Sequence, residues 1–499
     1  MKDPVISYPK TLLLLTILAV TVIRVGGASD LYQNLDQTKT MAFTADMAIN
    51  HRFVLPRDSW GEITRKPPLV NWVGLLPPSL GFWSELSLKL PSLLATFMTI
   101  WLCFWMSRRM GGMAVARSPE LFRDHDNFPT VMASVAGIAY LASPSTVKHM
   151  YFLRPDMINV TCLTATWILG TLTLEPRDEN HALKAIGFWV CVGVAALAKG
   201  TTAIIALIYI LLAARFIHGR WSAVNRTGWY WGIPLALAVF GCWLIPAHSI
   251  NPSYITKTLL AEETMSRMGA QDFWRWFWTV LSTSWELVQW FVERFAPWSV
   301  AALAGAFSIR PRDWRTHPLA PSVLWLIAVF LVFVPLEHRG GSYTMPAYPA
   351  AAPLAVYFLS AGWGRFRVPL RAQALVGMCL AVLLSFYKSH LGEDAREQAG
   401  DRIKDFVYLA APVVANDPVA YVNLKDNPVI TLMARHQPGE PDAERLAESK
   451  WIVRGCPADR IAIVMREEKP LLVSETLVDP LEQGNEVFLC LFRNDRRNP

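Results

Sequence analysis

Long apolar runs recur through most of the chain and constrain its fold more than any other feature. A membrane-spanning helix needs about 20 mostly apolar residues, because the hydrocarbon core of a bilayer is about 30 Å thick. Only 17% of the residues are charged, against about 25% in soluble domains. We therefore predict an all-α polytopic membrane protein and exclude a soluble globular protein, a disordered chain and a nucleic-acid binder. About eleven runs approach the length of a span, at 11–28, 87–107, 129–147, 156–174, 185–198, 200–216, 229–248, 295–309, 320–336, 345–362 and 372–388.

The distribution of Lys and Arg predicts the orientation of these spans, since cytoplasmic loops are enriched in both. The net charge of +7 is assigned to such loops in preference to a binding site for an anionic partner. The first run resembles a signal peptide, but no A-x-A-like site follows it, so an uncleaved first helix is predicted. With the N-terminus inside, the Lys- and Arg-rich inner loops are 107–128, 175–184, 217–228, 310–319 and 363–371.

The chain after residue 388 has a different composition. The parity of the spans sends this tail outside, where Cys456 and Cys490 share an oxidising compartment and are able to pair. The other cysteines lie in apolar runs, and no pair has the C-x-x-C spacing typical of zinc or redox sites. A small soluble α/β domain is predicted over 389–499, because polar stretches alternate with short β-like runs, at 418–424, 450–455, 469–475 and 486–492.

The first external loop, 29–86, is long and rich in charge. From Asp36 to Ile49 its apolar residues recur at near-helical spacing, which predicts an amphipathic helix lying in the membrane interface. Asp36 begins this helix and Lys39 follows one turn later. Lys66 precedes two prolines near the end of the loop.

Other unexpected polar residues lie at the outer ends of the predicted spans. The segment 255–298 is too aromatic and too charged for a span, so interfacial helices are predicted there. Lys199 lies in an apolar run, and a Lys at mid-bilayer costs about 2.5–3.5 kcal/mol on insertion scales, so it should reach an interface or face a cavity. The remaining candidates are Arg154, Pro155, Asp156, Glu263, Arg267, Arg339, Tyr343 and Tyr348.

In this order and spacing, over about residues 11–360, the chain resembles the GT-C glycosyltransferases that take sugars from polyprenyl phosphates. It is most similar to the lipid A aminoarabinose transferase and protein O-mannosyltransferase group. Three positions depart from that pattern: Gln37 and Arg65 stand where many relatives have acidic residues, and Arg339 where they often have Lys. The matching motifs are Asp36, Lys39, Asp46-Met47, Pro56, Lys66-Pro67, Arg154-Pro155-Asp156, Leu197-Ala198-Lys199-Gly200, Glu263 with Arg267, and Arg339 ahead of Tyr343, Pro346, Tyr348 and Pro349.

The resemblance implies a GT-C transmembrane domain over 1–388 that moves a sugar from an undecaprenyl-type phosphate to an acceptor. The acceptor is a lipid A-like glycolipid, a glycan or a protein, and the reaction takes place at the outer face of the cytoplasmic membrane. A polyprenyl phosphate is a weak base, so its departure needs cations or a metal to hold the developing charge, without a general acid. One carboxylate base and several cations therefore suffice, and attack by the acceptor inverts the anomeric carbon.

The two aspartates are the candidate catalytic residues. Asp36 is the candidate base. Asp156 orients the acceptor, assists Asp36, or shares a divalent metal ion with it, the one cofactor considered. The alternative for each is a helix cap, a role that Asp favours for backbone reasons alone.

Cationic and aromatic residues complete the implied site. Lys66, Lys199 and Arg339, and more weakly Arg154 and Lys39, are the candidates for binding the donor phosphate. The alternatives are contacts with lipid headgroups and snorkelling of a lysine to the interface. Candidates for the acceptor or sugar are Glu263, Arg267, Tyr343 and Tyr348, for which an ion pair within one helix and an aromatic belt are the alternatives.

Two other classes of function are compatible with many spans. A secondary transporter or lipid-linked-sugar flippase places ionisable residues near the midplane and often has repeated halves. Here the charges collect in outer loops and no repeat is evident, which favours the enzyme. A membrane scaffold would not require a charged loop between the first two spans.

Overall fold

The computed structural model describes residues 8–27, 35–58, 62–79, 85–122, 127–265, 273–336, 340–361 and 368–391, and short pieces of the tail. In the tail these pieces are 405–406, 409–410, 412–414, 419–422, 451–457, 466, 470–473 and 487–493.

The described part of residues 8–391 is almost entirely helical. Its α-helices are α1 Tyr8–Val25, α2 Leu35–Asn50, α3 Leu69–Ser79, α4 Glu85–Arg117, α5 Phe128–Leu141, α6 Pro144–His149, α7 Pro155–Leu174, α8 His181–Lys199, α9 Ile204–Phe216, α10 Trp229–Ile250, α11 Phe273–Arg294, α12 Trp298–Ser308, α13 Ala320–Phe333, α14 Tyr348–Ala361 and α15 Leu370–Phe386. Short 3-10 turns cover Pro119–Phe122, Gly200–Ala203, Trp221–Thr227, Pro311–Asp313 and Gly341–Ala347, and π-helical segments cover Tyr254–Met265 and Tyr387–Leu391.

The long apolar helices support a multi-pass membrane protein. Shorter apolar helices cover Phe128–Leu141, Trp298–Ser308 and Ala320–Phe333. The predicted runs 185–198 and 200–216 form one apolar helical stretch, since only the turn at Gly200–Ala203 separates them. The predicted total of about eleven spans is not confirmed. Within the described residues, five helices are long and apolar enough to cross a bilayer: Glu85–Arg117, Pro155–Leu174, His181–Phe216, Trp229–Ile250 and Leu370–Leu391.

The core of the helical domain is built from close helix pairs. α8 approaches α10 at Gly193, where an added Cβ atom would lie 2.8 Å from the carbonyl oxygen of Ala236. Small residues permit such approaches between membrane helices, where van der Waals packing drives association. At the centre Trp167 and Trp325 are fully buried, with ring centroids 6.3 Å apart.

The interfacial segments predicted from the sequence are helical where the structure describes them. α2 covers the predicted helix, and its apolar residues Met41, Ala42 and Ala45 are buried. α11 leaves the large aromatic rings of Trp274, Trp278 and others exposed, and its interfacial position stays a prediction.

The tail contains a strand in each of the four predicted β-like runs. The strands are β1 Val419–Val422, β2 Trp451–Pro457, β3 Leu472–Val473 and β4 Val487–Arg493. They form one sheet in the order β1-β2-β4-β3, in which β1 is parallel to β2 and the other pairs are antiparallel. The α/β class of this region and its boundary at residue 389 stay predictions. Cys490 is disulfide-bonded, whereas the side chain of Cys456, its predicted partner, lies outside the described residues.

Candidate active site

Asp36 lies in the first turn of α2 and contacts two cations. Its Oδ1 atom accepts a hydrogen bond from Lys66 Nζ at 3.1 Å, and its Oδ2 atom accepts one from an Arg154 guanidinium nitrogen at 2.8 Å. The buried apolar face of α2 fixes the helix, so its first turn presents Asp36 to residues 30 and 118 positions away in sequence.

Asp156 lies in the first turn of α7, directly after Pro155, and its side chain is 2% exposed. Its Oδ1 atom accepts a hydrogen bond from Lys199 Nζ at 2.6 Å. Its Oδ2 atom lies 3.2 Å from Arg154 Nε in an ion-pair contact. Arg154 therefore lies between the two carboxylates and contacts both.

These contacts form one continuous row, Lys66–Asp36–Arg154–Asp156–Lys199, which we call the charge row. It contains three cations and two carboxylates, which leaves a net charge of +1. Oppositely charged neighbours make burial of such groups tolerable, because an unpaired buried charge is very costly.

Lys199 reaches the charge row because helix α8 ends there. Gly200 has a φ of +58°, a conformation that favours glycine, and it begins the turn that separates α8 from α9. The Lys199 ammonium also lies 5.0 Å from the centroid of the Tyr343 ring, within range of a cation–π contact. Lys199 thus ends a helix and lines a cavity, in agreement with the requirement derived from its sequence position.

The charges of the row determine the ionisation of Asp36. Burial raises the pKa of Asp36, but the nearby charges of Lys66 and Arg154 outweigh burial and hold the pKa below its ordinary value of 3.8. Burial also lowers the pKa of Arg154, and Asp156 and Asp36 together more than compensate, so that pKa is raised. Asp36 is consequently a carboxylate at neutral pH, bound on both oxygens.

Two cavities meet at this row. The first, of about 360 Å³, has Lys66 and Lys199 among its lining residues. The second, of about 280 Å³, is lined by Asp36 and by several other polar residues. Arg65 and Lys66 line both cavities. We call the first the apolar cavity, because the rest of its lining includes Phe240, Leu244, Ile255, Leu259, Phe333 and Leu336. We call the second the polar cavity, lined also by Lys39, Thr40, Asp58, Glu62, Thr64 and Asn71.

The other predicted site residues do not belong to the charge row. Besides Tyr343, one lines the polar cavity, one lies in the core, and the side chains of the rest are not described by the structure. Lys39 lines the polar cavity, with its ammonium 3.8 Å from Glu62. Tyr348 is fully buried, its hydroxyl 2.8 Å from the Thr344 hydroxyl and its ring stacked on Phe295. Arg267 and Arg339 lie outside the described residues. Glu263 belongs to the helical segment Tyr254–Met265, where its side chain is not described.

The structure adds site residues that the sequence did not assign. Gln37 is fully buried, and its side-chain oxygen accepts a hydrogen bond from the backbone N–H of Leu153 at 3.0 Å. Arg65 lines both cavities. At both positions the sequence departs from the pattern of the family that it resembles, and this departure was the available sequence signal.

A divalent metal ion shared by Asp36 and Asp156 is the alternative role for the two carboxylates. Among the described residues, no group of three or more His, Cys, Asp and Glu side chains is arranged to hold a metal ion. Both oxygens of Asp36 and both of Asp156 face Lys66, Arg154 or Lys199. The side chains around the two aspartates are thus cations, and such surroundings do not fit a divalent metal ion.

Comparison with solved structures identifies the fold. ArnT from Cupriavidus metallidurans, in a crystal structure bound to undecaprenyl phosphate, matches with a TM-score of 0.70 and 15% identity over 99% of each chain. Its apo state matches with a TM-score of 0.69 and 15% identity over 100% of both chains. The oligosaccharyltransferase of Archaeoglobus fulgidus matches with a TM-score of 0.52 and 12% identity, over 93% of this chain and 70% of that one.

No family model and no curated protein matches the chain. The structural matches support the mostly helical, ArnT-like fold implied by the sequence resemblance, and those to ArnT cover 99–100% of this chain.

Proposed function

We propose that the protein is an integral-membrane glycosyltransferase that moves a sugar from a polyprenyl phosphate to an acceptor at the outer face of the cytoplasmic membrane. One observation carries the proposal: Lys66, bonded to Asp36, borders both the apolar and the polar cavity. A candidate base, a candidate phosphate ligand and two cavities of different polarity therefore meet at one point.

The apolar cavity suits the donor lipid. Its aromatic and aliphatic walls match an isoprenoid chain, and burying that chain is favourable by about 25 cal/mol per Å² of apolar surface. Lys66 and Lys199 among its lining residues are suited to the phosphate that joins the chain to the sugar. A sugar phosphodiester carries one negative charge, which balances the net charge of the charge row. ArnT, which has this fold, has been crystallised with undecaprenyl phosphate.

Donor binding changes the state of the base. Without donor, Lys66 and Arg154 hold the pKa of Asp36 low, which makes Asp36 a weak base. A donor phosphate at Lys66 competes with Asp36 for the same ammonium hydrogens. The pKa of Asp36 then rises towards a value at which it accepts a proton from the acceptor.

The reaction follows from this arrangement. The acceptor oxygen attacks the anomeric carbon, and the bond from that carbon to the phosphate oxygen breaks with inversion. The electron pair of the broken bond goes to the phosphate, where Lys66 and Lys199 stabilise the charge. The acceptor proton goes to Asp36. Asp156 acts through Arg154 and Lys199, which it holds in place by direct contact.

The polar cavity is assigned to the acceptor. It holds Asp36 and offers hydrogen-bonding groups of both signs, from Lys39, Asp58, Glu62 and Asn71. Such a lining suits a hydroxylated group, as carried by a lipid A-like glycolipid, a glycan or a protein side chain. Tyr343 beside Lys199 is assigned to the sugar or the lipid near the phosphate.

The test compares two aspartates in purified protein reconstituted in lipid. Radiolabelled undecaprenyl-phosphate sugars are supplied with a panel of acceptors, and sugar transfer is measured. Asp36→Asn should lower kcat by about 10²–10⁴-fold, the usual contribution of general base catalysis. Asp178→Asn is the matched control, because Asp178, in the loop between α7 and α8, forms an ion pair with Lys184 of α8 and lines neither cavity. Equal transfer by wild type and Asp36→Asn contradicts the role of Asp36, and no transfer from any donor favours a transporter.

A further inference from the structure

A third cavity, of about 540 Å³, lies against the loop that follows α2. Its lining includes the cationic side chains of Arg52 and Arg57 together with His51, Phe53 and Ile250. Ile63 lines both this basic cavity and the polar cavity, so the two are neighbours. The proposed transfer reaction makes no use of the basic cavity.

A buried carboxylate shapes the loop that forms this cavity. Asp46, with its side chain 3% exposed, accepts hydrogen bonds from the backbone N–H of Arg57 at 2.8 Å and from the side chain of Asn50 at 2.7 Å. It also lies 3.4 Å from Arg52. His51, with a φ of +57°, turns the chain at the end of α2. The loop between Asn50 and Arg57 is therefore folded around Asp46.

Two tryptophans fix the same loop to the helices beside it. Trp243 of α10 donates a hydrogen bond to the carbonyl oxygen of Val54 at 2.9 Å, and Trp72 of α3 donates one to that of Phe53 at 2.7 Å. The cavity wall is thus held by groups from three helices. A ligand entering it meets a formed site and pays little ordering entropy.

The charge of the lining is positive. No Asp or Glu is among the lining residues. Within the described part of the chain, Arg57 forms no ion pair, and Arg52 keeps 49% of its side chain exposed beside Asp46. A concave surface with two guanidinium groups favours a phosphate, which guanidinium binds with paired hydrogen bonds.

The basic cavity adjoins the end of a helix that is long enough to span a bilayer, which suggests that the phosphate belongs to a lipid. Ile250 ends α10, one of the helices long enough to span a membrane, and is 63% exposed. Ile245, five residues earlier in the same helix, is 69% exposed. At a membrane surface, exposed apolar side chains contact lipid tails, and neighbouring guanidinium groups contact anionic headgroups. The end of α10 and the two arginines provide both.

We propose that the basic cavity binds the phosphate headgroup of an anionic bilayer lipid, separately from the donor. Arg57 and Arg52 hold the phosphate, and the acyl chains contact the exposed apolar side chains at the end of α10. Because Ile63 lines both this cavity and the polar cavity, the bound lipid lies beside the site and attaches the preformed loop 51–57 to the membrane surface.

The test uses a photoreactive phosphatidylglycerol in phosphatidylcholine nanodiscs containing the full chain. Crosslinking is mapped to the peptide that contains residues 51–57. Arg57→Gln should reduce the yield about fivefold, from the roughly 1 kcal/mol contributed by one basic residue near an anionic surface. Arg312→Gln, an exposed arginine in the turn between α12 and α13, is the control and should leave the yield unchanged. His51→Asn, which keeps a residue that tolerates positive φ, provides a second variant.

Two competition arms identify the source of the phosphate. Excess unlabelled phosphatidylglycerol should abolish crosslinking, whereas soluble glycerol phosphate at the same concentration should not. Equal crosslinking of photoreactive phosphatidylcholine, full competition by glycerol phosphate, or an unchanged yield in Arg57→Gln each overturns the proposal. Asp36→Asn should crosslink like wild type, so this result is independent of whether sugar transfer is observed.

Discussion

The side-chain oxygen of Gln37 lies 3.0 Å from the backbone nitrogen of Leu153 and accepts its hydrogen bond. Asp36, which precedes Gln37, and Arg154, which follows Leu153, form an ion pair at 2.8 Å. Two consecutive contacts therefore join the start of α2 to the segment before α7. The neutral contact is buried and fixes the geometry of the charged one.

Replacing Gln37 should therefore impair catalysis more than donor binding. Gln37→Met leaves the Leu153 N–H buried without its partner, at a cost of about 1–3 kcal/mol, and loosens the position of Arg154 against Asp36. We expect kcat to fall by about tenfold, the equivalent of 1.4 kcal/mol, with KM for the donor nearly unchanged. Gln37→Glu keeps an acceptor oxygen and should recover most of the loss.

The control for this comparison is Gln373→Met. Gln373 is 2% exposed and donates to Ser360 and to the carbonyl oxygen of Val368, away from the cavities of the site. It should lose stability to a similar degree while keeping its kcat. A kcat that falls equally in both variants would assign Gln37 to general stability alone.

Lys66→Met should weaken donor binding. Hydrogen bonds to charged groups contribute about 1.5–3 kcal/mol, which corresponds to about a 10- to 150-fold rise in KM for the lipid donor. Steady-state kinetics in nanodiscs, with the donor concentration varied, measure this change. Lys184→Met, which removes the partner of Asp178, should leave KM for the donor as in wild type.

The pH dependence of kcat/KM should report the ion pairs of Asp36. Because the pKa of Asp36 lies below 3.8, the free enzyme keeps its carboxylate charged down to that pH. The ion pairs of Asp36 contribute to the free energy of unfolding above the ordinary pKa of Asp, and this contribution is lost as the pH falls through the lowered pKa of Asp36. Wild type should therefore show no acid limb from Asp36 above about pH 4.

Removing Lys66 changes this profile in a defined direction. Lys66 lowers the pKa of Asp36 by its charge and by its hydrogen bond. In Lys66→Met the acid limb of kcat/KM should move to higher pH, because burial then has less opposition. An acid limb at the same pH in both proteins would exclude Lys66 as the group that sets the ionisation of Asp36.

The orientation of the chain can be tested with single cysteines. In a background lacking Cys103, Cys162, Cys191, Cys242 and Cys379, the free cysteines among the described residues, Arg466→Cys places a thiol at an exposed position in the tail. A membrane-impermeant maleimide should label it in intact cells, because the tail is predicted to lie outside. Arg312→Cys, in a predicted inner loop, should be labelled only after permeabilisation. The reverse pattern would invert the predicted topology.

Local features of the site were predictable from the sequence, whereas the contacts between its parts were not. The spacing of apolar residues after Asp36 predicted α2, because burial of one helical face leaves a periodic pattern. The energetic cost of a lysine inside an apolar run predicted that Lys199 reaches an interface or faces a cavity, and the structure shows the cavity. Neither argument contains a distance between segments, so the contact of Arg154 with Asp36, 118 positions away, could not be predicted from these patterns.

Tyr348 illustrates a second limit of the sequence. An aromatic residue near an outer loop fits a substrate groove, a belt or the core equally well by composition. The structure places its ring on Phe295, fully buried, because the turn Gly341–Ala347 directs Tyr343 and Tyr348 to different surroundings. The choice depends on the packing of α11 and α14, which is a tertiary property.

The contact between Lys66 and Asp36 determines which substrate must bind before the base becomes active. With the donor cavity empty, Lys66 keeps Asp36 a weak base, so an acceptor that arrives first meets a carboxylate poorly suited to remove its proton. A water molecule beside Asp36 is likewise not readily deprotonated while the donor is absent. The proposed enzyme is therefore switched on by its own lipid substrate, and the energy-rich donor meets a competent base only when its phosphate is already held.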